Sequence, residues 1–546
     1  EKTIAINHSD KQQATTLDVN NKLALWDIGQ PNLYQCRFRL LADNQVIDQL
    51  QTTFGYRDIQ ARGEDILLNG RKIQLIGPWA HIGEWTRSRS WIEAGESYKA
   101  DLINVFKTML SHGINYGRFH CQVFDRIFYE AADEAGFLIV AETGLNHRPK
   151  NDLALEHVKA MTLQLRNHPA IVIWSGSNEF EHWITPRPQA TEAFMVQVQK
   201  THKQYDPSRL VMHSGYGDAQ GKIDIYNIHY PDSGPEFPLS LQWKGRTEQY
   251  NHLYSDNYSH FPPDGVKPLG IGEQLTPNSR LKLEYIFGDK MTYLRNGDPA
   301  NNDQYQYYLA QLWRQAVRTY REQNIALLSP NFMYLDSAIN SPFVKELSKE
   351  LKPQTVYWKS LNPAMTTGIN IRELQLFEHS GHPFEGHVQL TVQSDEKQYW
   401  QSRIPVSLNA SESRSQLIEI QIENLETELP AYLSATLFDH AGNHVYSMNR
   451  PVKIHTPIDS RELANRVVYG MAIPDKIEKR LKQWQIQIKP IQAMTDIVKL
   501  EAQSALIIGK QAPSNQLLSH AMLISEFVAA GGRLLMLDRE DLPEIF

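Results

Sequence analysis

The run Ile171-Val172-Ile173-Trp174-Ser175 decides the fold. Five residues without a charged side chain predict a strand that is buried on both faces, which is typical of a parallel sheet. Amphipathic stretches at residues 153–166 and 190–204, with apolar residues three and four apart, predict a helix before and after it. A buried strand between two such helices indicates an α/β unit.

The same alternation extends over residues 61–365, which we interpret as one domain. Other buried strands are predicted at Ile73–Ile76, Ile114–Arg118, Phe137–Glu142, Leu210–Ser214, Ile225–His229, Leu269–Glu273 and Ile325–Leu328. Other helices are predicted at Tyr98–Ser111, Val123–Ala135 and Asp303–Gln323. Eight strand-helix units predict a (β/α)₈ TIM barrel, and an open doubly wound sheet is the alternative.

Three flanking segments have a different pattern, so the chain is predicted to be multidomain. Residues 1–60 contain the strand-like runs 34–41 and 46–53 around a turn at Ala42-Asp43-Asn44, which predicts an immunoglobulin-like β-sandwich, whole or truncated. Residues 366–457 predict a second β-sandwich. Residues 458–546 alternate strands and a helix that ends at Gly531-Gly532, which predicts part of a flavodoxin-like α/β domain.

Composition narrows the class of ligand. The chain has 546 residues, 41% of them hydrophobic and 21% charged, with 30 Gly and 28 Pro, as in globular proteins. A net charge of -7 gives no electrostatic reason to expect nucleic acid or an anionic membrane as a partner. The 11 Trp, 24 Tyr and 19 Phe include candidates for stacking against sugar rings, although most are expected in the core.

The cysteines and the lengths of the apolar runs argue against disulfide-rich, zinc-binding and membrane-spanning classes of protein. Cys36 and Cys121 fall in different predicted domains, so neither a disulfide framework nor a zinc spacing is expected. No apolar run reaches the roughly 18 residues that a bilayer requires. The chain starts at Glu1 without a signal-peptide pattern, which predicts a processed piece, and a periplasmic or secreted location is favoured over a cytoplasmic one.

Glutamates end three of the predicted strands: Glu142, Glu179 and Glu273. Barrel enzymes place their working residues at the carboxyl ends of strands, and a glutamate there is costly to desolvate without partners. Two carboxylates across a barrel mouth are the apparatus of glycoside hydrolysis. The alternative for each is a structural, salt-bridged carboxylate.

An ordered set of motifs resembles glycoside hydrolase family two, which includes β-galactosidases, β-glucuronidases and β-mannosidases. The motifs run over about residues 24–275: Phe54-Gly55-Tyr56-Arg57, Leu68-Asn69-Gly70, Arg118 with His120, Ala132-Asp133-Glu134-Ala135-Gly136-Phe137, Arg166-Asn167-His168-Pro169-Ala170 and Asn178-Glu179.

The resemblance implies a role for each matching residue. Glu179 would be the general acid/base and Glu273 the nucleophile, with the Asn-Glu pair favouring Glu179 over Glu181. Asn178 would bond the substrate 2-hydroxyl and Arg118 would keep the nucleophile ionised. His229 and Tyr230 end the sixth strand, where similar barrels place a tyrosine that bonds the nucleophile.

Other residues near strand ends are candidates for substrate binding. Trp79, His81 and Trp85 follow the first strand and are expected to line the sugar pocket or close the core. His120, Glu142 and His147 are expected to orient a substrate. Their spacing does not favour a metal site, and no cofactor is expected.

Departures from the family pattern bear on the sugar. The run Ser175-Gly176-Ser177-Asn178-Glu179-Phe180-Glu181 resembles the β-mannosidase version of the motif. No Asn-x-Lys follows Glu273, which lowers the β-glucuronidase interpretation, and the run 328–332 lacks the tryptophan that the family often has near the eighth strand. The family's leading sugar-binding jelly roll is missing before residue 1.

The resulting hypothesis is a retaining exo-β-glycosidase, β-galactosidase-like, with an oligosaccharide substrate. β-Mannosidase or another β-glycosidase is the alternative in the same class. A non-catalytic carbohydrate-binding protein and a scaffold whose tail drives homo-oligomer assembly are the alternatives from other classes.

Overall fold

A computed structural model of the chain describes most of its residues. The described residues are 2, 4, 15, 16, 23–80, 96–146, 152–180, 189–215, 217–229, 266–274, 310, 314, 317, 318, 320, 321, 324–330, 342–359, 362–456, 466–501, 504–509, 512, 517 and 520–537. Within them, no helix combines the length and the apolar character needed to cross a bilayer.

An antiparallel hairpin opens the described chain. Strand β1 (Leu33–Ala42) pairs with β2 (Gln45–Gly55), and both residues of the turn, Asp43 and Asn44, have positive φ (48° and 61°). A two-residue turn of this kind matches the twist of a hairpin. The predicted sandwich over residues 1–60 is represented among the described residues by this hairpin, without a second layer facing it.

The motifs around Arg57 and Pro169 pack on each other. The guanidinium of Arg57 donates to the carbonyl oxygens of Pro169 (3.0 Å) and Ile171 (2.6 Å). A Cβ at Gly55 would lie 2.8 Å from the Pro169 ring, so only glycine allows this approach. The hairpin is thereby fixed to the start of the strand that begins at Ile171.

A small antiparallel sheet separates the hairpin from the α/β region. It contains β3 (Ile59–Arg62), β4 (Asp65–Leu68) and β5 (Arg71–Ile73), with β4 in the centre.

Two parallel sheets form the centre of the molecule. Their strands are β6 (Leu75–Ile76), β7 (Trp79–Ala80), β8 (Tyr116–Phe119), β9 (Leu138–Glu142), β10 (Ile171–Asn178), β11 (Leu210–Ser214), β12 (Tyr226–His229), β13 (Leu269–Gln274) and β14 (Leu327–Pro330). One sheet has the order β11-β10-β9-β8-β7 and the other β12-β13-β14-β6. Every residue of β8 to β12 is buried, as the apolar runs predict.

The segment 75–80 belongs to both parallel sheets. Leu75 pairs with Leu327 in one sheet, and Trp79 pairs with Arg118 in the other. At the opposite side, the amide N–H of Asp224, just before β12, donates to the carbonyl oxygen of Val211 in β11 (3.2 Å). The chain therefore links the two sheets at both sides.

The predicted strand Ile73–Ile76 is wrong, because the chain changes sheets within it. Ile73 ends β5 and Leu75 begins β6. The Asn115 side chain stabilises the backbone where the chain changes sheets. Its amide nitrogen donates to the Gln74 carbonyl oxygen (2.8 Å), and its Oδ1 accepts from the Ile76 amide (3.0 Å).

Helices alternate with the parallel strands. They are α1 (Glu96–Ser111), α2 (Arg126–Ala135), α3 (Asp152–Leu165), α4 (Gln189–Tyr205) and α5 (Pro342–Glu350). The Asp125 carboxylate accepts from the Ile127 amide at the start of α2, and Gly136 (φ 73°) ends it. The predicted helix Asp303–Gln323 lies mostly outside the described residues.

Two further units follow. The second sandwich packs a three-stranded sheet, β15 (Gln354–Trp358), β17 (Gly368–Glu378) and β20 (Ser413–Ile422), on a five-stranded one. The strands of the latter are β16 (Ala364–Thr366), β18 (Phe384–Gln393), β19 (Gln398–Leu408), β21 (Leu429–Asp439) and β22 (His444–His455). Because β15 pairs with β17, this sheet begins before residue 366.

The last unit is a parallel four-stranded sheet. Its strands β23 (Val467–Met471), β24 (Gln487–Pro490), β25 (Ala505–Ile508) and β26 (Arg533–Met536) have the order β24-β23-β25-β26. Helices α6 (Asp475–Gln483) and α7 (Ala521–Ala529) lie between them in sequence. The flavodoxin-like assignment of this segment stays a prediction.

Candidate active site

Five polar side chains meet at the carboxyl ends of the parallel strands. Arg118 lies in β8, Glu142 ends β9, Asn178 ends β10 with Glu179 directly after it, and Glu273 lies in β13. Arg118 and Glu142 are fully buried and Glu273 is 2% exposed, whereas Glu179 is 13% exposed. Glu179 has φ 43°, a left-handed conformation at the point where the chain leaves the strand.

Arg118 connects these side chains. Its Nε and Nη2 donate to the two carboxylate oxygens of Glu142 (3.0 Å each). Its Nη1 donates to Glu273 Oε1 (2.9 Å), and its Nη2 also donates to Asn178 Oδ1 (2.7 Å). Burial alone would lower the pKa of Arg118, but the two glutamates raise it. Arg118 is therefore a permanent cation here.

Glu142 is saturated with hydrogen-bond donors. Besides Arg118, it accepts from the Ser175 hydroxyl (2.6 Å) and the Cys121 amide (2.7 Å). Burial would raise its pKa, but Arg118, His120 and the Ser175 hydroxyl lower it to about 2. The structure thus places Glu142 behind Arg118, where it positions that guanidinium.

His120 is held next to Arg118 and Glu142. Its Nδ1 lies 2.8 Å from Arg118 Nη2 and 3.3 Å from Glu142 Oε1. Its Nε2 lies 3.2 Å from Cys121 Sγ. Burial and the Arg118 charge lower the pKa of His120, in agreement with a neutral ring.

Trp79 packs edge-on against His120, with 4.8 Å between the ring centroids. Its indole N–H is buried and has no acceptor among the described residues.

Asn178 is fixed in one orientation. Its Oδ1 accepts from Arg118, so its amide nitrogen faces away from the guanidinium, and it donates to Asn146 Oδ1 (3.2 Å). It is 3% exposed and lies next to Glu179.

The two candidate catalytic glutamates share one neighbour, His229. Its Nδ1 lies 2.9 Å from Glu179 Oε1 and 3.7 Å from Glu273 Oε1. One oxygen of each carboxylate and His229 Nδ1 fall within 4.8 Å of one another. Burial would raise the pKa of Glu273, but the neighbouring His229 and the Arg118 cation lower it, so Glu273 is ionised near neutral pH.

Several predicted site residues lie outside the described residues: His81, Trp85, His147, Glu181 and Tyr230. Their assignments stay predictions.

Sequence reasoning missed Ser175, Cys121 and Ser214, which hold the glutamates and His229. Ser214 ends β11, so an examination of strand ends for hydroxyls as well as acids would have found it.

Two groups of described residues have the geometry of metal ligands: His120 with Cys121 and Glu142, and Glu179 with His229 and Glu273. The Arg118 cation already contacts a carboxylate in each group. We therefore assign no metal to either.

Many glycoside hydrolases have paired carboxylates at the carboxyl ends of parallel strands. Residues 1–57 match the model of glycosyl hydrolases family 2, and residues 59–252 match the model of that family's TIM barrel domain. The resemblance stated from the motifs is confirmed for this part of the chain, which is similar to glycoside hydrolase family two.

Curated relatives share only part of their length with the chain. A putative beta-glucuronidase from Formosa agariphila is 28% identical over 241 residues, which are 41% of this chain and 22% of that protein. The beta-galactosidase large subunit of Leuconostoc lactis is 26% identical over 218 residues, 36% of this chain and 32% of that protein. The chain thus spans less than a third of these relatives.

A solved structure supports the fold. The exo-chitosanase of Amycolatopsis orientalis has a TM-score of 0.52 at 14% identity, covering 78% of this chain and 55% of that one. At this identity the similarity concerns the fold alone.

Proposed function

We propose that the protein is a retaining exo-β-glycosidase that removes terminal β-linked sugars from oligosaccharides. The observation that carries this proposal is the pair Glu179 and Glu273, with one oxygen of each within 4.8 Å. Retaining enzymes hold their carboxyl groups about 5–5.5 Å apart, whereas inverting enzymes need about 6.5–9.5 Å to admit a water. The short separation favours a double displacement.

In the first step, the Glu273 carboxylate attacks the anomeric carbon while the bond from that carbon to the leaving oxygen breaks. Glu179 gives its proton to the leaving oxygen, so the aglycone departs as a neutral alcohol. The sugar is now an ester of Glu273.

In the second step, water attacks the anomeric carbon and the ester bond to Glu273 breaks. Glu179, now a carboxylate, takes one proton from the water. The sugar leaves with its original configuration, and both glutamates return to their starting states.

The surrounding residues match these roles. Glu273 must be ionised to attack, and Arg118 holds its charge in a buried position. Glu179 is the more exposed of the pair, as suits a group that meets the leaving oxygen and then water. Asn178 lies beside Glu179 in a fixed orientation, which supports its role toward the 2-hydroxyl.

We further propose that the two parallel sheets form one closed (β/α)₈ barrel. The double pairing of segment 75–80 and the hydrogen bond between β11 and β12 support it. For the sugar we propose galactose, because several relatives are named beta-galactosidase, although others are named beta-glucuronidase. A panel of nitrophenyl β-galactoside, β-mannoside, β-glucuronide and β-glucosaminide measures this choice directly.

Chemical rescue tests the two glutamates separately. Glu273→Ala leaves a hole beside the anomeric carbon, so added azide should attack there and give the α-glycosyl azide by one inversion. Glu179→Ala keeps the nucleophile, so activated substrates should still form the ester, and azide should release the β-glycosyl azide. Without rescue, activity should fall by roughly 10²–10⁴ in Glu179→Ala, least for activated leaving groups.

NMR spectroscopy of the products identifies the anomer. The same anomer from both variants, or full activity in either, would show the assignment to be wrong. In that case Glu142→Gln would be the next variant to assay.

A further inference from the structure

His229 and Ser214 form a unit directly behind the catalytic pair. Ser214 Oγ lies 2.9 Å from His229 Nε2, and the other ring nitrogen faces both glutamates. His229 is 1% exposed and Ser214 fully buried. The Ser214 carbonyl oxygen also accepts from the Glu179 amide (2.8 Å), so one serine holds both the imidazole and the backbone of Glu179.

Two glycines leave the space that this unit occupies. A Cβ on Gly215 would lie 2.7 Å from His229 Nδ1, and one on Gly272 would lie 2.7 Å from Ser214 Oγ. Both distances are below normal van der Waals contact. The His229 ring therefore packs closely against Gly215, which follows β11, and the Ser214 hydroxyl packs closely against Gly272 of β13.

The contacts fix the tautomer of His229 whenever Glu179 is ionised. The Glu179 oxygen that lies 2.9 Å from Nδ1 can then only accept a hydrogen bond. In that state Nδ1 therefore carries a proton. When the ring is neutral, Nε2 has a lone pair, and the Ser214 hydroxyl donates to it.

We propose that Ser214 and His229 are positioning residues that hold a single N–H between the acid/base and the nucleophile. This inference rests on the proposed roles of Glu179 and Glu273. The N–H stabilises the charge of Glu179 as that group loses its proton in the first step. Once Glu273 carries the sugar as an uncharged ester, the His229 N–H still faces the Glu179 carboxylate. It orients this carboxylate toward the incoming water.

Arg118 and His120 also act on the same pair and must be kept constant. Arg118 donates to Glu273 from β8, and His120 Nδ1 lies 3.6 Å from the same carboxylate. Variants that change only His229 or Ser214 leave both in place.

The pH dependence of kcat/KM tests the proposal. A donor favours the charged form of a carboxylate, so His229→Ala should move both limbs of the profile to higher pH, by roughly one unit. His229→Asn places an amide nitrogen where Nδ1 was and should return the limbs close to their wild-type positions. Ser214→Ala should shift them in the same direction by less, with kcat reduced more than KM changes.

Controls separate this role from a structural one. His157 is exposed on α3, so His157→Ala should leave the profile unchanged. Melting temperatures identify variants that fail to fold. The proposal would be overturned if folded His229→Ala kept the wild-type pH profile of kcat/KM. Equal shifts of this profile in the Ala and Asn variants would also overturn it.

A second measurement is independent of turnover. NMR of protein with ¹⁵N-labelled imidazoles, with the His229 signal assigned by its loss in His229→Asn, should show a protonated Nδ1. Ser214→Ala should alter mainly the Nε2 signal. An unprotonated Nδ1 would overturn the inference even if the enzyme is active. An inactive wild-type protein with a protonated Nδ1 would contradict only the proposed function.

Discussion

Arg118 donates hydrogen bonds to Glu142, Asn178 and Glu273 from a position without solvent exposure. A buried cation is tolerated only when partners compensate its desolvation, and the two carboxylates do so here. Because Glu142 is saturated, Arg118 is held rigidly, and Glu273 receives its charge at a fixed distance.

We expect Arg118 variants to move the acid limb of kcat/KM. The pKa of Glu273 is lowered by its charged neighbours, so the active carboxylate persists at acidic pH and is lost as pH falls through this lowered value. Arg118→Met removes the largest permanent charge and should move the acid limb to higher pH by roughly one unit or more. Arg118→Lys should give an intermediate shift.

Steady-state kinetics from pH 4 to 8 and thermal melts of each variant provide the measurement. An acid limb that stays in place in both folded variants would contradict this account of Glu273.

Examination of strand ends found Glu142, Glu179 and Glu273, because an acid after an apolar run is conspicuous. The strand ends alone could not show which of the three glutamates belong to the catalytic pair. The position of Glu142 behind Arg118 depends on the Ser175 hydroxyl and the Cys121 amide, and neither has a sequence signal. Side-chain partners from separate strands become visible only when the fold brings them together.

At the scale of elements, buried strands and amphipathic helices could be predicted closely. Strand Leu210–Ser214 has the predicted bounds, and each end of α3 and α4 differs from the predicted helix by one residue. The error at Ile73 has a physical cause. An apolar run shows that a segment is buried but not which sheet it joins, and the change of sheet occurs inside such a run.

Gly77 offers a test of how β6 and β7 pack. It lies between these two strands and against Tyr116 of β8. A Cβ at Gly77 would lie 1.7 Å from the Tyr116 carbonyl oxygen. Gly77→Ala must displace backbone, and we expect a loss of roughly 1–3 kcal/mol of unfolding free energy, or more.

Denaturant unfolding of both this variant and Gly144→Ala provides the comparison. The nearest atom to a Cβ at Gly144 is 3.9 Å away, an ordinary contact, so this second variant should be nearly as stable as the wild type. Equal stability of the two variants would show that β6 and β7 are not packed as described.

At the scale of the whole molecule, Glu350 joins the α/β region to the second sandwich. Its buried carboxylate accepts from Arg318 Nη2 (2.8 Å) and from the Tyr446 hydroxyl of β22 (3.0 Å), with Arg314 Nε at 3.4 Å. Burial would raise the pKa of Glu350, but Arg318, Arg314 and Arg321 lower it. The two units are thus connected by a buried, charged cluster.

We expect Glu350→Gln to destabilise the protein by about 3–5 kcal/mol, because Arg318 loses its buried counter-charge. A lowered folded-state pKa gives stability that is present above the unfolded value of about 4.3 and is lost as pH falls. The variant should therefore lose most stability near neutral pH and differ least from the wild type under acid conditions.

Calorimetry between pH 3 and 7 measures both effects, and Tyr446→Phe serves as the milder comparison. A Glu350→Gln protein with wild-type melting at neutral pH would contradict the role of the cluster.

The pairing of Leu75 with Leu327 also has a consequence for biosynthesis. The partner of the first parallel strand leaves the ribosome about 250 residues later, which at about 5–20 residues per second is roughly 13–50 s. During that interval β6 has one edge without its final neighbour. A nascent chain stalled before residue 327 should therefore engage chaperones that bind apolar strands, and one stalled well beyond residue 330 should release them.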